Sequence, residues 1–356
     1  MRSIGYILKV KGVTGVERHV RDLCKELCGR FVLYVFVLEK PDHLQDAYVE
    51  SLKALGVTVY RFSVAGNLSW AAARSLRAKI VHHQIDIVHT HLMAADIYGW
   101  YLKRQLPELT WLSTIHNVHS FASMKAWVRF AYVKCLRRAD RVIYVAEFVA
   151  QVLAPLIKPL ASVVIHNCVP DVSARQPGDA QKILFVGRLI TLKGCDDLLR
   201  AFKLLKPTSP HLTLTIVGEG PEMDKLKTLV NAPNLASSVH FIGYQADTAP
   251  FFREAGIFVL PSRSEGLPLT LIEAMAHGKA IVANRITSVS ECVSDNVSGL
   301  LVNQGDVYSL ATTIRRLIED PALCVRLAAG ARAAYETNFQ FSMMAERYAK
   351  LYEACG

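Results

Sequence analysis

The sequence has 356 residues, of which 51% are hydrophobic and 20% charged, and its formal net charge is +10. Single hydrophobic cores stop growing at roughly 250 residues, so this length excludes one ordinary core and predicts two domains of similar size. The composition excludes a disordered or fibrous chain, and apolar runs such as Phe31 to Leu38 are far shorter than the roughly 18 to 20 residues that span a bilayer.

The first half of the chain alternates short apolar runs with helical patterns. The runs that we interpret as strands are Ile4–Lys9, Phe31–Leu38, Val57–Phe62, Ile85–Thr90, Thr110–Ile115, Arg141–Val145 and Val163–His166. Strands that are apolar throughout and separated by helices indicate a parallel sheet covered by helices on both faces. We therefore predict a doubly wound α/β domain over residues 1–168, and a C-terminal helix at 340–356 that can pack back on it.

Turn-forming residues from Asp171 to Asp179 follow this half, and we assign residues 169–180 as a linker. The second half repeats the α/β pattern, which predicts a Rossmann-like domain over residues 181–339. Its predicted strands are Lys182–Val186, Leu212–Val217, Val239–Ile242, Ile257–Leu260, Ala280–Ala283 and Gly299–Val302. Open parallel sheets bind ligands beyond the carboxyl ends of their strands, so two such domains predict a site in a cleft between them.

The positive charge is confined to the first half. Residues 1–170 contain 22 Lys and Arg against 12 Asp and Glu, whereas residues 171–356 contain 19 of each. This asymmetry predicts an anionic partner, either a lipid surface, a phosphate-bearing acceptor or nucleic acid, with a plain solvated surface as the alternative. The segment Phe121–Asp140 mixes basic and aromatic residues, but its basic residues do not share one helical face, so it does not predict an amphipathic membrane helix. No nucleic-acid-binding motif accompanies it, and we favour a lipid phosphate.

Two features predict a cytoplasmic protein, with association to the inner face of the cytoplasmic membrane left open by the charge. The opening segment from Met1 to Val10 is interrupted by Lys9 and has no cleavage site, so it does not predict a signal peptide. The eight cysteines show neither zinc-ligand nor redox spacing, and we expect reduced thiols.

The most specific segment contains two glutamates eight residues apart, Glu265 and Glu273. Gly266 and Pro268 place a helix start between them, which leaves first-turn amides without acceptors at the positive end of the helix dipole. These amides, from Leu267 to Thr270 and including that of Leu269, predict a seat for a diphosphate. Glu273 can reach ribose hydroxyls and Glu265 sugar hydroxyls. A helix with one acid near its N-terminus is the simpler alternative.

A second loop follows the first strand of this domain and carries Arg188 and Lys193 around a turn closed by Gly194. Two fixed cations can stabilise the charge on a departing nucleoside diphosphate, as a metal ion would otherwise do. A solvated basic loop is the alternative. Gly243, after the strand Val239–Ile242, is also assigned to donor binding.

In the first domain, Gly15 opens a helix directly after the first strand, where the backbone can approach a phosphate. The histidines at the strand ends are His89, His91, His116 and His119. Because no cysteine or carboxylate accompanies them at ligand spacing, they predict hydrogen bonds to a sugar hydroxyl rather than a metal site, with capping or core roles as the alternative. The absence of an Asp-x-Asp motif agrees with a site that holds no metal.

Together these motifs resemble glycosyltransferase family four, the retaining group 1 enzymes of the α/β GT-B fold, in which two Rossmann-like doubly wound domains face an interdomain cleft. The resemblance covers nearly the whole chain. The segments that carry it are Thr14–Glu17, Asp86–His91, His116–Asn117, Val164–Asn167, Gly187–Gly194, Gly218–Pro221 and Glu265–Glu273.

The resemblance implies roles for these residues. The implied catalytic set is Glu265, His116, Lys193 and Arg188, in which Arg188 and Lys193 hold the diphosphate and His116 contacts the sugar near the reacting carbon. The implied donor-binding set is Gly15, Arg188, Lys193, Gly243, Glu265, Gly266, Leu267, Pro268, Leu269, Thr270 and Glu273. Family precedent implies retention, with the leaving phosphate assisting deprotonation of the acceptor, and neither a metal nor another cofactor.

The sequence departs from the family pattern at three places. Thr14 precedes Gly15 where relatives carry two glycines, and Thr287–Ser290 precedes Glu291 where they carry a glycine-rich turn. Ala146 stands where relatives often carry serine. These departures put in doubt the first loop's approach to the donor, the contribution of the second loop to the site, and one small polar contact.

The implied activity is transfer of a hexose-type sugar from a nucleotide diphosphate donor, a UDP-sugar first, to a glycan or polyprenyl- or lipid-phosphate acceptor in bacterial surface polysaccharide or glycolipid synthesis. Two alternatives share the scaffold. A nucleotide-sugar epimerase needs acid and base carboxylates that we cannot place. A non-catalytic nucleotide-sugar-binding partner subunit predicts the loss of Arg188, Lys193 or Glu273, and all three are present.

Overall fold

The computed structural model describes residues 1–10, 15–41, 46–116, 118–172, 178–231 and 233–355, with the backbone alone at residues 119, 120, 233 and 234. Of the residues named above, Thr14, Asn117 and residues 173–177 of the linker lie outside the described residues. The chain divides into two compact units, one formed by Met1–Asn167 with Ser342–Gly356 and the other by Cys168–Phe341. Within the described ranges, no helix is long and apolar enough to cross a bilayer.

The first unit is built on a seven-stranded sheet. Its strands are β1 (Ser3–Lys9), β2 (Val32–Glu39), β3 (Thr58–Ser63), β4 (Ile87–His91), β5 (Thr110–Ile115), β6 (Arg141–Tyr144) and β7 (Ser162–Val164). Its helices up to residue 157 are α1 (Gly15–Leu27), α2 (Asp46–Lys53), α3 (Trp70–His82), α4 (Met93–Gln105), α5 (His119–Ala122), α6 (Ala126–Leu136) and α7 (Glu147–Ile157). The order across the sheet is β3-β2-β1-β4-β5-β6-β7, and all neighbouring strands are parallel.

The second unit is built on a six-stranded sheet. Its strands are β8 (Asp179–Val186), β9 (Thr213–Val217), β10 (Val239–Gly243), β11 (Ala255–Leu260), β12 (Ala280–Asn284) and β13 (Leu300–Val302). Its helices are α8 (Cys195–Leu205), α9 (Met223–Leu229), α10 (Pro233–Ala236), α11 (Ala249–Glu254), α12 (Leu269–Ala276), α13 (Thr287–Ser290), α14 (Val307–Glu319) and α15 (Pro321–Asn338). The order is β10-β9-β8-β11-β12-β13, again with parallel neighbours.

The last helix, α16 (Phe341–Ala354), belongs to the first unit. Arg30, which follows α1, pairs with Glu346 at 2.6 Å and with Glu353 at 2.8 Å. On its buried side, Tyr352 is fully covered and its hydroxyl contacts His89 of β4. The burial of this aromatic side chain, more than the exposed ion pairs, holds the end of the chain on the first sheet.

Burial explains why these apolar runs form strands. All six residues of β11 are buried, as are six of the seven residues of β1, because helices cover both faces of each sheet. The predicted fold class, two doubly wound parallel α/β units, is confirmed. The segment Phe121–Asp140 is not one helix, since α6 begins only at Ala126 and ends at Leu136. Thr287–Ser290, in the segment that departs from the family pattern, forms the short helix α13.

Candidate active site

The loops that follow β8 and β11 leave the sheet at the point where the strand order of the second unit reverses. Parallel α/β sheets bind ligands at such a switch point, because neighbouring loops diverge there and leave a crevice. The loop after β8 carries Arg188 and Lys193, and the loop after β11 carries Glu265. The sheet topology therefore brings together two loops that are distant in the sequence.

Lys193 and Glu265 form an ion pair between these loops. The Nζ atom of Lys193 lies 2.6 Å from Oε1 and 2.7 Å from Oε2 of Glu265, and the hydroxyl of Ser262 donates to Oε1 at 2.6 Å. The side chain of Lys193 is 21% exposed and that of Glu265 only 8%. The site thus holds a cation and a carboxylate in defined positions, and both can form strong charge-assisted hydrogen bonds.

Gly194 sets the close approach of the two loops. Its φ of +66° lies in the left-handed region, and a Cβ atom there would overlap the carbonyl oxygen of Pro261. On the other side, Asn284 Nδ2 donates to the carbonyl oxygens of Pro261 at 2.8 Å and Ser262 at 3.2 Å. The backbone before Glu265 is therefore fixed from two directions.

Arg263 forms a second connection between the loops, which the sequence analysis did not identify. Its amide donates to the carbonyl oxygen of Leu192 at 2.7 Å, and its guanidinium donates to Thr191 O at 2.5 Å, Asp196 Oδ2 at 3.0 Å and Asp197 Oδ2 at 2.7 Å. The hydrogen bond that Arg263 donates to Asp196, together with both carboxylate charges, raises the pKa of Arg263. The residues on either side of Lys193 are thereby tied to the loop that carries Glu265.

Arg188 lies in the same loop as Lys193 but is exposed and makes no ion pair with any residue that the structure describes. Its backbone neighbours are fixed, since Gly187 N donates to Val217 O at 3.0 Å and Leu189 N to Glu219 O at 2.8 Å. An exposed guanidinium on a fixed backbone can turn toward an anionic ligand without losing a protein partner.

Gly243 ends β10, which lies two strands away from β8. Its carbonyl oxygen accepts from Gly218 N at 2.8 Å, and its φ is +79°. It therefore supports the loop after β9 and makes no contact with the Lys193–Glu265 pair among the described hydrogen bonds.

The N-terminus of α12 carries the remaining predicted donor residues of this unit. Leu271 N and Ile272 N both bond to the carbonyl oxygen of Pro268, at 3.1 and 3.3 Å. The amides of Leu269 and Thr270 have no acceptor within the described part of the chain, and no side chain caps the helix. Two amides at a positive helix end are a suitable site for an anion.

Glu273 lies within α12 and is partly buried. Thr248 Oγ1, just before α11, is 3.5 Å from its Oε2 atom, a distance at the limit of a hydrogen bond. Gly266 and Leu267 lie between Glu265 and the helix, and Leu267 is buried. The predicted donor residues after β11 thus surround one helix end.

In the first unit, His116 directly follows β5 and its Nε2 atom lies 3.0 Å from Nδ1 of His91. His89 is fully buried, with Tyr352 on one ring nitrogen and Thr114 on the other, each at 2.7 Å. Burial lowers the pKa of His116 to about 4, and burial followed by the charge of His116 lowers that of His89 to about 3. Both rings are therefore neutral at pH 7 and act as hydrogen-bonding groups.

A further histidine, His19 of α1, packs edge-on against His91 and His116 with ring centroids 5.6 Å apart. Neither of its ring nitrogens has a hydrogen-bond partner among the described residues, and burial lowers its pKa well below the usual value. The sequence analysis missed His19 because a single histidine within an amphipathic helix carries no pattern. In the described ranges, no group of three or more His, Cys, Asp or Glu side chains could hold a metal ion.

Gly15 is the first residue of α1 and is exposed. Ala146, the residue before α7, has no side chain that could cap this helix, and a serine there is the residue type that normally would. The third departure from the family pattern therefore leaves α7 without a side-chain cap.

Two Rossmann-like units, with cations and unpaired helix amides at the switch point of one, are typical of enzymes that bind phosphorylated donors. The comparison with known protein families agrees. The family described as glycosyl transferases group 1 matches residues 171–334, and glycosyltransferase family 4 matches residues 13–172. The chain belongs to this group of glycosyltransferases.

Individual proteins show the same relationship. An uncharacterized glycosyltransferase of Haemophilus influenzae is 37% identical over 155 residues, 43% of this chain and 44% of that protein. The lipopolysaccharide core biosynthesis glycosyltransferase LpsD of Rhizobium meliloti is 33% identical over 177 residues, half of each chain. These matches span half or less of each relative's length.

The crystal structure of HepE from Anabaena in complex with UDP superposes with a TM-score of 0.84, covering 99% of this chain and all of that one at 20% identity. At this identity the likeness shows the fold alone. The fold is GT-B.

Proposed function

We propose that this chain is a retaining, metal-independent transferase that moves a hexose-type sugar from a UDP-sugar to a glycan or lipid-linked acceptor. The Lys193–Glu265 ion pair at the switch point is the observation that carries the proposal. The Nζ atom of Lys193, which we assign to the diphosphate, lies 2.6 Å from the carboxylate of Glu265, which we assign to sugar hydroxyls.

The diphosphate site is proposed to consist of two cations and one helix end. Lys193 and Arg188 hold the phosphates, and the amides of Leu269 and Thr270 donate to them. As the bond from the anomeric carbon to the phosphate oxygen breaks, negative charge grows on that oxygen, and fixed cations lower the barrier by stabilising it. This is the role that a divalent metal fills at other sites.

The sugar and ribose contacts follow from the two glutamates. Glu265 accepts hydrogen bonds from sugar hydroxyls, and Glu273 accepts from the ribose. The family resemblance supports further contacts by Gly15 and His116 of the first unit, in which the neutral His116 ring hydrogen-bonds the sugar. The family pattern also supports retention: the leaving phosphate oxygen takes the proton of the acceptor hydroxyl, and the new bond forms on the face from which the phosphate departs.

The biological setting is proposed from the relatives. HepE was crystallised with UDP and with UDP-glucose, which supports UDP as the nucleotide of the donor and a hexose as its sugar. LpsD acts in lipopolysaccharide core biosynthesis, and AmsK of Erwinia amylovora, 33% identical over 180 residues, acts in amylovoran biosynthesis. They support a role in bacterial surface polysaccharide or glycolipid synthesis. The place proposed for this role, in the cytoplasm and at the inner face of the membrane, comes from the charge of the first half of the sequence.

Thermal unfolding in EDTA with UDP, GDP, ADP or CMP tests the donor site. UDP at a hundred times its dissociation constant should stabilise the protein by roughly 2.7 kcal/mol. Arg188→Ala and Glu273→Ala should weaken this effect, whereas Arg316→Ala, which removes an exposed arginine of α14, should not. If no nucleotide stabilises the chain, the donor site is refuted.

Incubation of the full chain with UDP-glucose and lipid or glycan acceptors tests the reaction. Release of UDP with label in the acceptor supports transfer. UDP binding without release under any condition would indicate a non-catalytic partner subunit, and conversion of the donor to its epimer would indicate an epimerase. A strict requirement for a divalent cation would overturn metal independence.

A further inference from the structure

A groove lies between α4 and α6 on the first unit, and none of the proposed donor residues lines it. Its volume is about 1160 Å³, larger than the roughly 300 to 1,000 Å³ of ordinary ligand clefts. The two helices pack against each other along it. Neither helix alone predicted this surface, because its apolar and basic residues come from both.

The groove is lined by both apolar and basic side chains. Its apolar lining includes Met93 and Ile97 near the start of α4 and Trp127 and Val128 near the start of α6. Its basic lining residues lie in or just after the last turns of the two helices and are Lys103, Arg104, Lys134 and Arg138. An amphiphile with an apolar chain and an anionic headgroup matches this mixed lining.

Three of the four cations have no carboxylate partner among the described residues. Lys103 pairs with Asp140 at 2.8 Å. Arg104 instead stacks over the Trp100 ring at 5.2 Å, and Lys134 lies over the Phe130 ring at 4.5 Å. Cations placed on aromatic faces retain their charge for an external anion. Favourable interaction with the helix C-terminal dipoles accounts for some of this clustering, but not for the aromatic side chains beneath it.

Apolar side chains also project beyond the groove. Trp127 is 72% exposed, Phe130 62% and Leu160 76%. A small ligand seated in the groove would leave the outer faces of these side chains in water, whereas a bilayer interface would cover them. Tryptophan is enriched at such interfaces.

The floor of the groove is rigid. The hydroxyl of Tyr132, a lining residue, donates to Oδ2 of the buried Asp96 at 2.5 Å. The other oxygen of Asp96 accepts from Thr90 at 2.5 Å and from Ser113 at 2.7 Å. A buried polar network therefore holds the groove open, so that ligand binding does not have to supply the free energy of opening it.

We propose that this groove docks the protein on an anionic lipid bilayer. One lipid chain enters along the apolar lining, lipid phosphates lie on Arg104, Lys134 and Arg138, and Trp127 and Phe130 insert at the interface. The inference builds on the membrane-side role in the proposed function, yet the docking itself needs neither donor nor transfer. It also uses three of the basic residues that give the first half of the sequence its net positive charge.

Sedimentation of the full chain with phosphatidylcholine vesicles, with and without phosphatidylglycerol, tests the docking. We expect binding only to the anionic vesicles, weakened by salt. The triple variant Arg104→Gln, Lys134→Gln, Arg138→Gln should bind at least roughly tenfold more weakly. The matched control Lys25→Gln, Arg347→Gln, Lys350→Gln removes the same charge from exposed positions of α1 and α16 that do not line the groove, and it should bind within about twofold of the original chain.

The insertion of Trp127 into the bilayer interface is tested by a separate measurement. Brominated lipid should quench tryptophan fluorescence in the original chain and much less in Trp127→Phe. Equal loss of binding in both triple variants would show a bulk-charge effect and overturn the groove, as would binding to neutral vesicles alone or stronger binding to an RNA oligonucleotide. UDP stabilisation measured on the same variants separates this result from the donor site, because it should be unchanged in all of them.

Discussion

At the scale of single residues, Lys193 can pair with either of two anions: the carboxylate of Glu265, which it contacts, and the diphosphate of the proposed donor. The contact is mostly buried, so the two side chains are strongly coupled. The hydroxyl of Ser262 also donates to Oε1 of this carboxylate. If Glu265 contacts the sugar as proposed, it also competes with the diphosphate for Lys193, and the two roles can be separated by substitution.

Replacing the Glu265 carboxylate by an amide should separate them. In Glu265→Gln, Lys193 loses a competing anion, so UDP should bind at least as tightly as in the original chain, while turnover falls by roughly 10²-fold with loss of a charged sugar contact. Lys193→Ala should lose UDP affinity as well. Glu254→Gln, which breaks an exposed pair with Lys182 on the same unit, is the charge-matched control. Calorimetric titration with UDP that shows equal losses in Glu265→Gln and Lys193→Ala would contradict this assignment.

The buried histidines predict how stability depends on pH. Burial depresses the pKa of His116 to about 4 and that of His89 to about 3, below the usual value of about 6.5 in the unfolded chain. Between these folded-state pKa values and about pH 6.5, the unfolded state binds more protons than the folded state. The free energy of unfolding is therefore highest above about pH 6.5 and falls on acidification, by roughly 1.4 kcal/mol per histidine and pH unit. Asp96 acts in the opposite direction, because burial raises its pKa to about 6.

Denaturant unfolding at pH 7.5, 6.0 and 5.0 measures this dependence. The histidines outnumber Asp96, so the free energy of unfolding should fall toward pH 5. The slope of the unfolding free energy against pH reports the number of protons taken up on unfolding, and His116→Gln should reduce that number by about one. His211→Gln, which alters an exposed histidine of the second unit, should leave the slope unchanged. A slope unaffected by His116→Gln would show that its ring is not buried and neutral.

At the scale of elements, the loops after β8 and β11 act together because Arg263 joins them. It contacts Asp196 and Asp197 in the first turn of α8 and the carbonyl oxygen of Thr191. Asp197 is itself buried. We therefore predict that Arg263 is a positioning residue, which acts on the proposed donor site through the loop that carries Lys193.

Removing this connection should therefore affect affinity as well as stability. Arg263→Ala leaves Asp197 without its closest cation, and we expect a loss of about 1 to 3 kcal/mol in unfolding free energy and a roughly tenfold weaker UDP affinity. Arg263→Lys keeps the charge but not the forked geometry and should recover part of the affinity. Arg285→Ala breaks a comparable but more exposed pair with Asp295 and should leave UDP binding intact. A stability loss without any change in affinity would reduce Arg263 to a structural role.

The sequence predicts the elements better than their connections. Continuous apolar runs such as Ile257–Leu260 predict buried parallel strands, and the helix start near Pro268 follows from local glycine and proline chemistry. The contacts of Arg263 with Asp197 and of Lys193 with Glu265 depend on which strands are neighbours, and local sequence does not encode the strand order. The sequence did not predict the groove between α4 and α6 for the same reason, because periodicity within one helix carries no information about a surface that two helices share.

At the scale of the whole molecule, the chain ends in the unit in which it begins. The hydroxyl of Tyr352 in α16 contacts Nδ1 of His89 at 2.7 Å and donates to the Tyr6 hydroxyl at 3.1 Å. Its ring lies 5.7 Å from that of Phe31. The terminal helix therefore completes the core beneath the histidines of the first sheet, although it follows the second unit in the sequence.

Substitutions in α16 should consequently destabilise the first unit without affecting the nucleotide site of the second. Tyr352→Ala should cost about 3 to 5 kcal/mol, because it leaves a cavity and an unpaired His89 nitrogen. Tyr352→Phe keeps the ring and should cost about 1 to 2 kcal/mol. Tyr308→Ala removes a ring that is 74% exposed and should change stability little. Calorimetric scans with and without UDP give both readouts: we expect the Tyr352 variants to lower an unfolding transition that UDP does not shift, while the UDP-sensitive transition stays in place. If Tyr352→Ala were no more harmful than Tyr308→Ala, the helix would not be part of the core of the first unit.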